Sequence, residues 1–428
     1  MKKLTHSSKK RKEIYLDYSA SSPMDKRVLE AMKPYFSVDF GNAGSLHSFG
    51  QRAQAGIDVA REIVAGSLGA KFNEIIFTGS ASEANNLAIR GSIKGIRNYE
   101  LRVKNKSTIR NSQFVIPRII VSSIEHESVL DTAKDLEKEG VEVIYLPVDK
   151  EGFINIESLK NNLTENTVLV SIIFASNVIG TVEPIKEIAE VIKKFRGGKR
   201  YPLLHTDAVQ AFQYLDCNVD HLGVDMMTIS GHKIYGPKGV GVLYVRQSNE
   251  LGIRNKESKT MSIIHNSSFI IPIITGGAHE YGLRAGTENV PAIVGLGKAV
   301  ELILKNKDKE SSRIASLRDY FWEKLKASLP RLELNGSSSD VHRLPNNLNV
   351  YFPEMGDLQE LVIKMDLAGV AVSSGSACST KSFEDSYVVA ALGHKENRSR
   401  SSIRISLGRP VTYNQLDQTI KRIIILFK

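Results

Sequence analysis

The sequence predicts an α/β protein, a mostly parallel sheet buried on both faces, followed by a smaller α+β domain. Short apolar, β-branched runs recur through the first part of the chain and alternate with stretches of helical apolar spacing. Past Pro272 that strict alternation stops, which suits a second unit of mixed strands and helices. The length, 428 residues, is more than one small domain needs.

The elements follow in order. Ile14–Tyr18 reads as a short strand, closed by a Ser-rich loop and Pro23. Arg27–Tyr35 and Gln51–Leu68 carry helical spacing, with a loop at Gly41–Ser48 between them. The alternation then begins: strand Glu74–Phe77, helix Ser82–Ile93, strand Arg118–Ser122, helix Val129–Glu139, strand Val141–Leu146. Strand Val168–Phe174, helix Ile185–Phe195 and strands Pro202–Thr206, Met226–Ser230 and Val240–Val245 complete it. Asn98–Ser112 and Asn249–Asn266 are polar and read as insertions. Beyond them come one long charged helix over Ala292–Ser328, strands near Asn347–Tyr351 and Val370–Ser373, and a helical end.

Composition narrows the function classes. No apolar run reaches the length of a membrane span. The net charge of +10 comes from two places, the acid-free stretch Met1–Lys12 and the segment Lys94–Arg110, where only Glu100 opposes the cations. Charge confined to a tail and a loop argues against direct nucleic-acid binding. Met1–Lys12 leads into no hydrophobic stretch, so a cytoplasmic protein is expected; a basic, acid-poor start also fits a short mitochondrial presequence. Two cysteines, Cys217 and Cys378, exclude a disulfide framework and a Cys-rich metal site, and no metal is expected.

In an open α/β sheet, ligands bind beyond the carboxyl ends of the strands, so the residues after each run are where chemistry belongs. After Phe77 comes Thr78-Gly79-Ser80-Ala81-Ser82-Glu83-Ala84-Asn85, a small-residue turn opening a helix, suited to a phosphate. After Leu204 comes His205-Thr206-Asp207-Ala208-Val209-Gln210, where an acid can hold a protonated ring nitrogen. After Ile229 comes Ser230-Gly231-His232-Lys233, whose lysine can reach into a crevice and form a Schiff base. Singly these read as a helix cap, a salt-bridge partner and a solvated lysine; together they are what one cofactor needs. Cys378, in Ser373-Ser374-Gly375-Ser376-Ala377-Cys378, sits among Ser and Gly rather than apolar neighbours, which favours a reactive thiol. Cys217 has no such setting and reads as structural.

These motifs, with Tyr15-Leu16-Asp17-Tyr18-Ser19-Ala20, Gly41-Asn42, the run Ser230–Gly239 and Ser401–Arg409, resemble the cysteine desulfurases, in their order and over about Ile14 to Arg409. These are class V aminotransferases, fold type I enzymes of pyridoxal 5'-phosphate, and the Cys378 segment is similar to the long-cysteine-loop subgroup. The resemblance implies a mostly parallel, seven-stranded type of sheet in a cofactor-binding domain over 29–275. The small domain would comprise 13–28 with 276–428, after a basic tail over 1–12.

It also implies roles. Lys233 would hold the cofactor covalently and move the Cα proton, His126 would stack on the ring, Asp207 would pair with its nitrogen and Gln210 would contact its oxygen. Ala81, Ser82, Ser230 and His232 would hold the phosphate, with Thr287 reaching in from the other subunit of a homodimer. Asn177 and Arg404, with Asn42 assisting, would hold the carboxylate of L-cysteine. Cys378 would take the sulfur as a persulfide, release alanine, and pass the sulfur to an acceptor protein, an iron–sulfur scaffold or a thiolation relay. The sequence departs from the family pattern at Val178, where Glu is common, at Tyr281, where Arg is usual, and at Ala43-Gly44. An aminotransferase or selenocysteine lyase would need Lys233 and Asp207 without needing Cys378. A basic binding protein that keeps only the scaffold would need none of them.

Overall fold

The computed structural model describes residues 13–106, 116–247, 269–353, 358–374, 385–394 and 398–426, with backbone alone for 98–106 and 358–359. Cys378, Met1–Lys12 and Asn249–Asn266 lie outside the described residues.

A seven-stranded sheet runs in the order Ile75–Thr78, Gly241–Val245, Met226–Ser230, Leu203–Asp207, Thr167–Ser171, Arg118–Ser122, Glu142–Leu146. Neighbours pair in parallel from Met226–Ser230 through to Glu142–Leu146. Gly241–Val245 alone is reversed, antiparallel to both of its neighbours. The short connection from Ser230 to Gly241 explains this, because a parallel crossover needs a dozen or more residues, usually with a helix. Both faces are covered, as the apolar runs require. One face (Ile75, Phe77, Ile120, Val170, Leu204, Met227) packs on Ser48–Leu68, Ile185–Arg196 and Val290–Leu304. The other (Ile76, Ile119, Val121, Leu169, Leu203, Leu243) packs on Ala81–Lys106 and Glu127–Lys138.

A second core gathers Ile14, Leu16, Phe321, Leu348, Phe352, Ile403 and Ile405. Its sheet has the order Ser402–Ser406, Asn347–Tyr351, Glu333–Asn335, antiparallel throughout. The opening strand Ile14–Tyr15 pairs in parallel with Val370–Ala371. The N-terminus is thereby tied to residues more than 300 positions away.

Several expected elements differ in extent. The expected helix over Ala292–Ser328 is two, Val290–Leu304 and Lys307–Ser328, broken at Asn306, whose ψ of 13° leaves the helical region. The first of the two packs against Ser48–Leu68 in the first core, although a boundary at 275 assigns it to the second unit. Arg27–Tyr35 divides at Pro34, which opens its own short turn. The helix predicted over Ser82–Ile93 runs on to Lys106, so the first part of the polar Asn98–Ser112 stretch extends an element rather than interrupting one.

Candidate active site

The lysine turn is held by several contacts. Gly231–Lys233 forms a single 3-10 turn directly after Met226–Ser230. Tyr235, two residues on, has φ 63°, a left-handed conformation that costs a non-glycine residue about 1–3 kcal/mol. Three contacts hold it there. Its N–H donates to Ser22 Oγ (2.8 Å), its carbonyl accepts from Asp25 N–H (2.9 Å), and its phenol oxygen accepts from Arg409 N–H (2.6 Å). Ser22 Oγ also donates to the carbonyl of His232 (2.8 Å). The loop Asp17–Ser22 is therefore stitched along the lysine turn.

Lys233 Nζ donates to the carbonyls of Ser19 (2.5 Å) and Ala20 (2.8 Å). Gln210 Nε2 donates to the same Ser19 carbonyl (2.9 Å). The amine and the amide thus meet on one oxygen, beside the turn that opens from Asp207. His232 stands half-buried with its Nδ1 3.4 Å from Ser21 Oγ. Burial, then the charges of Lys233 and Lys238, push its pKa down to about 4, so it is neutral at physiological pH.

Asp207 is buried at the end of its strand and accepts on both oxygens, Oδ1 from Val209 N–H (3.0 Å) and Oδ2 from Asn85 Nδ2 (2.8 Å). Asn85 Nδ2 also donates to Ser128 Oγ (2.8 Å), which lies 2.9 Å from His126 Nδ1. His126 caps the helix Glu127–Lys138, its Nδ1 accepting from Ser128 N–H (3.1 Å). Its ring borders an open cleft of about 480 Å³ that also reaches Ser82, Asn86 and Arg90. Ser82 and Ala81 open the helix Ala81–Lys106, and Ser80 Oγ caps it by accepting from Glu83 N–H (3.1 Å). The N–H groups of such a first turn have no carbonyl partner within the helix. Gly241 makes the approach possible, since a Cβ there would lie 2.6 Å from Ser80 C and 2.8 Å from Ala81 N.

Arg404 lies on Ser402–Ser406 and is fully buried. Its guanidinium pairs with Asp17 Oδ1 (2.8 Å) and donates to the Asn177 carbonyl (3.1 Å). Asn177 Oδ1 is buried without a hydrogen-bond partner, the condition of a group built to meet something absent. The backbone of Arg404 exchanges hydrogen bonds with Ser373, donating at 2.7 Å and accepting at 3.2 Å. Ser373 begins the segment that leads to Cys378.

Lys233, Gln210, Asn177 and Arg404 thus share the Asp17–Ser22 loop as a common seat or neighbour, while Asp207 and His126 are joined through Asn85. Asn42 is not brought in, and Thr287 is the residue expected to act in the other subunit of a homodimer. Asn42 is exposed and its Oδ1 caps Gly44 N–H (2.9 Å); Thr287 is exposed on the loop before Val290–Leu304. Of the departures, Val178 is buried beside Val388 and Val389, where a carboxylate would be costly. Tyr281 lays its ring 5.2 Å from the guanidinium of Arg61, which is paired with Glu280 at 2.7 Å. Cys217 is buried, and its thiol is pushed up to about 12 by desolvation, which suits a structural residue.

Sequence reasoning missed Asp17, Asn85 and Ser128. Asn85 had a signal: it lies in line with Ala88 and Ser92 on the buried face of its helix, where a polar side chain needs a partner.

The residues present fit pyridoxal phosphate. They supply an amine at one strand end, a buried acceptor carboxylate at the next, a helix N-terminus closely approached by a glycine, and a buried guanidinium beside an orphaned amide oxygen. Comparison with known proteins agrees. The aminotransferase class-V family model matches residues 14–419. The cysteine desulfurase IscS of Dictyoglomus turgidum is 42% identical over 410 residues, 96% of this chain and 93% of that protein. The mitosomal cysteine desulfurase of Trachipleistophora hominis is 38% identical, over 96% and 85% of the two chains. A solved NifS-like protein superposes with a TM-score of 0.81 at 31% identity, covering 97% of this chain and 99% of its own. With sequence, fold and site geometry in agreement over nearly the whole length, the chain belongs to the aminotransferase class-V family, among its cysteine desulfurases.

Proposed function

We propose that this protein removes sulfur from L-cysteine, carrying it on Cys378 and releasing L-alanine. Lys233 and Gln210 meeting on the Ser19 carbonyl carries the reading, because it sets the amine beside the Asp207 strand end. Pyridoxal phosphate, when bound, supplies an electron sink for the pair released at the substrate Cα. Lys233 Nζ would hold the cofactor and is the group placed to carry the Cα proton. Asp207 would accept from the ring N–H, with His126 on the ring face and Gln210 toward the ring oxygen. Ala81, Ser82, Ser230 and His232 would hold the phosphate, joined by Thr287 of the partner subunit.

Arg404, already neutralised in part by Asp17, orients the substrate carboxylate with Asn177 beside it. The Cys378 thiolate attacks the substrate sulfur. The S–S bond forms as the Cβ–S bond breaks, the bonding pair stays with carbon, and protonation there completes alanine. One thiol and one cysteine give one persulfide and one alanine, so no outside oxidant or reductant is needed. Asn42, turned toward Gly44, takes no part in this scheme.

A sulfur-acceptor protein, an iron–sulfur scaffold or a thiolation relay, then takes the persulfide sulfur. Phe36, Val38, Phe40 and Leu46 stand exposed along one stretch, and a second copy of the chain is the occupant that would also deliver Thr287. Chemistry that depends on a free thiol suits the reducing cytoplasm. Among the described residues no helix is long and apolar enough to cross a membrane. We place the boundary between the cofactor-binding and small domains after Leu304 rather than at 275, following the packing of Val290–Leu304.

Cys378→Ser is expected to keep a visible band that borohydride bleaches and to lose sulfide release from cysteine. Lys233→Ala is expected to lose both. Sulfide release that survives Cys378→Ser would overturn the assignment of the thiol.

A further inference from the structure

Asn85 is fully buried, and its side-chain amide lies between two groups that the proposed function places on the cofactor ring. Asp207 offers only acceptors, so the NH₂ end of the amide must face it. That orientation leaves the second Nδ2 hydrogen for Ser128 Oγ (2.8 Å). Having accepted, Ser128 Oγ–H is directed to His126 Nδ1 (2.9 Å). The backbone N–H of Ser128 points at the same nitrogen (3.1 Å). With donors converging on Nδ1, the neutral imidazole carries its hydrogen on Nε2. Donation therefore runs outward from Asn85 in two directions, to the Asp207 carboxylate and through Ser128 to the His126 imidazole. The amide orientation follows from Asp207 being an acceptor, and the imidazole hydrogen from the Ser128 backbone N–H occupying Nδ1.

We propose that Asn85 is a positioning residue for the cofactor, a single amide that holds the Asp207 carboxylate and, through Ser128, the His126 ring in matched orientations on the two sides of the site. The proposal rests on the reading that Asp207 and His126 meet the pyridoxal ring. It differs from a packing role in one respect: Asn85 and Ser128 act in series, so losing either link breaks the same connection.

A double-mutant cycle tests this on the full chain with pyridoxal phosphate as the probe. The readouts are the cofactor dissociation constant, the visible spectrum, and kcat and KM for cysteine. Asn85→Ala is expected to raise the cofactor dissociation constant about ten- to a hundredfold, the scale of one hydrogen bond to a charged group. Ser128→Ala is expected to raise it severalfold, and the double variant no further than Asn85→Ala. In each, kcat falls while KM for cysteine stays within about twofold, because neither residue touches Arg404 or Asn177. Effects that multiply independently, or a wild-type dissociation constant in Asn85→Ala, would overturn the proposal. If Asn85→Ala does not fold, Ser128→Ala decides alone, since it sits partly exposed at a helix head. Unchanged cofactor affinity and kcat in that variant would count against the link. The reading of the site fails separately: it falls if the wild-type chain binds no pyridoxal phosphate, whatever the variants do.

Discussion

The two cysteines have different sequence neighbours, Cys378 lying among Ser and Gly. Cys217 sits beside Asp216 and Asn218 in sequence, yet the fold buries its thiol and raises it to about 12. At neutral pH the native protein is expected to react with one equivalent of iodoacetamide, at Cys378, and to yield a second only after unfolding. Peptide mapping of the alkylated chain checks this, and early modification of Cys217 would contradict it. Lys233 and Asp207 stood out because strand ends and small-residue turns announce where a crevice lies, whereas Gln210 entered only with the family resemblance. Asp17 and Ser128 were not, since one acts by neutralising an arginine 387 positions away and the other by relaying a hydrogen bond. Contacts of that range have no local pattern to read.

Among elements, the strands showed through because continuous β-branched runs mean burial on both faces. The reversed direction of Gly241–Val245 did not, because direction depends on connection length rather than on the run itself. Helix ends were harder than helix existence. Val290–Leu304 and Lys307–Ser328 are separated only by Lys305-Asn306, with neither Gly nor Pro to mark the break. The same strand Gly241–Val245 carries a prediction. Gly241→Ala would drive its Cβ against the Ser80–Ala81 turn, and overpacking of that kind costs about 1–3 kcal/mol. Since the displaced atoms open the Ala81–Lys106 helix, pyridoxal phosphate affinity should fall together with the melting temperature. Equilibrium dialysis and thermal unfolding check the two effects separately.

For the molecule as a whole, His205 and Glu183 are two buried titratable groups that contribute opposing pH dependences to stability, alongside His232 on the acid side and Glu125 on the alkaline side. His205 bonds Ser171 (2.8 Å) and Thr228 (3.1 Å) and is pushed down to about 4 by burial. The unfolded chain takes up its proton near pH 6.5, so stability falls as pH drops from there through 4, by about 3 kcal/mol from this group. Glu183 is pushed up to about 8 by burial and accepts from Ile154 N–H (3.2 Å). Here the folded chain holds its proton longer than the unfolded one. Stability is full below about pH 4.5 and is lost as pH rises through 8, by on the order of 5 kcal/mol from this group. Glu183→Gln should therefore flatten the alkaline side of a denaturant-derived stability profile and leave the acid side alone. An unchanged alkaline slope would remove Glu183 as its source.

The stretch from Ile14 to Ser22 belongs to the second core through Ile14, Leu16 and Tyr18, and reaches across to the lysine turn through Ser19, Ala20 and Ser22. A start moved past Ser22 would leave every residue assigned to chemistry in the chain. It would also remove the carbonyls on which the Lys233 amine rests and the acid that neutralises Arg404. Such a shortened protein would own the tools and have lost the bench.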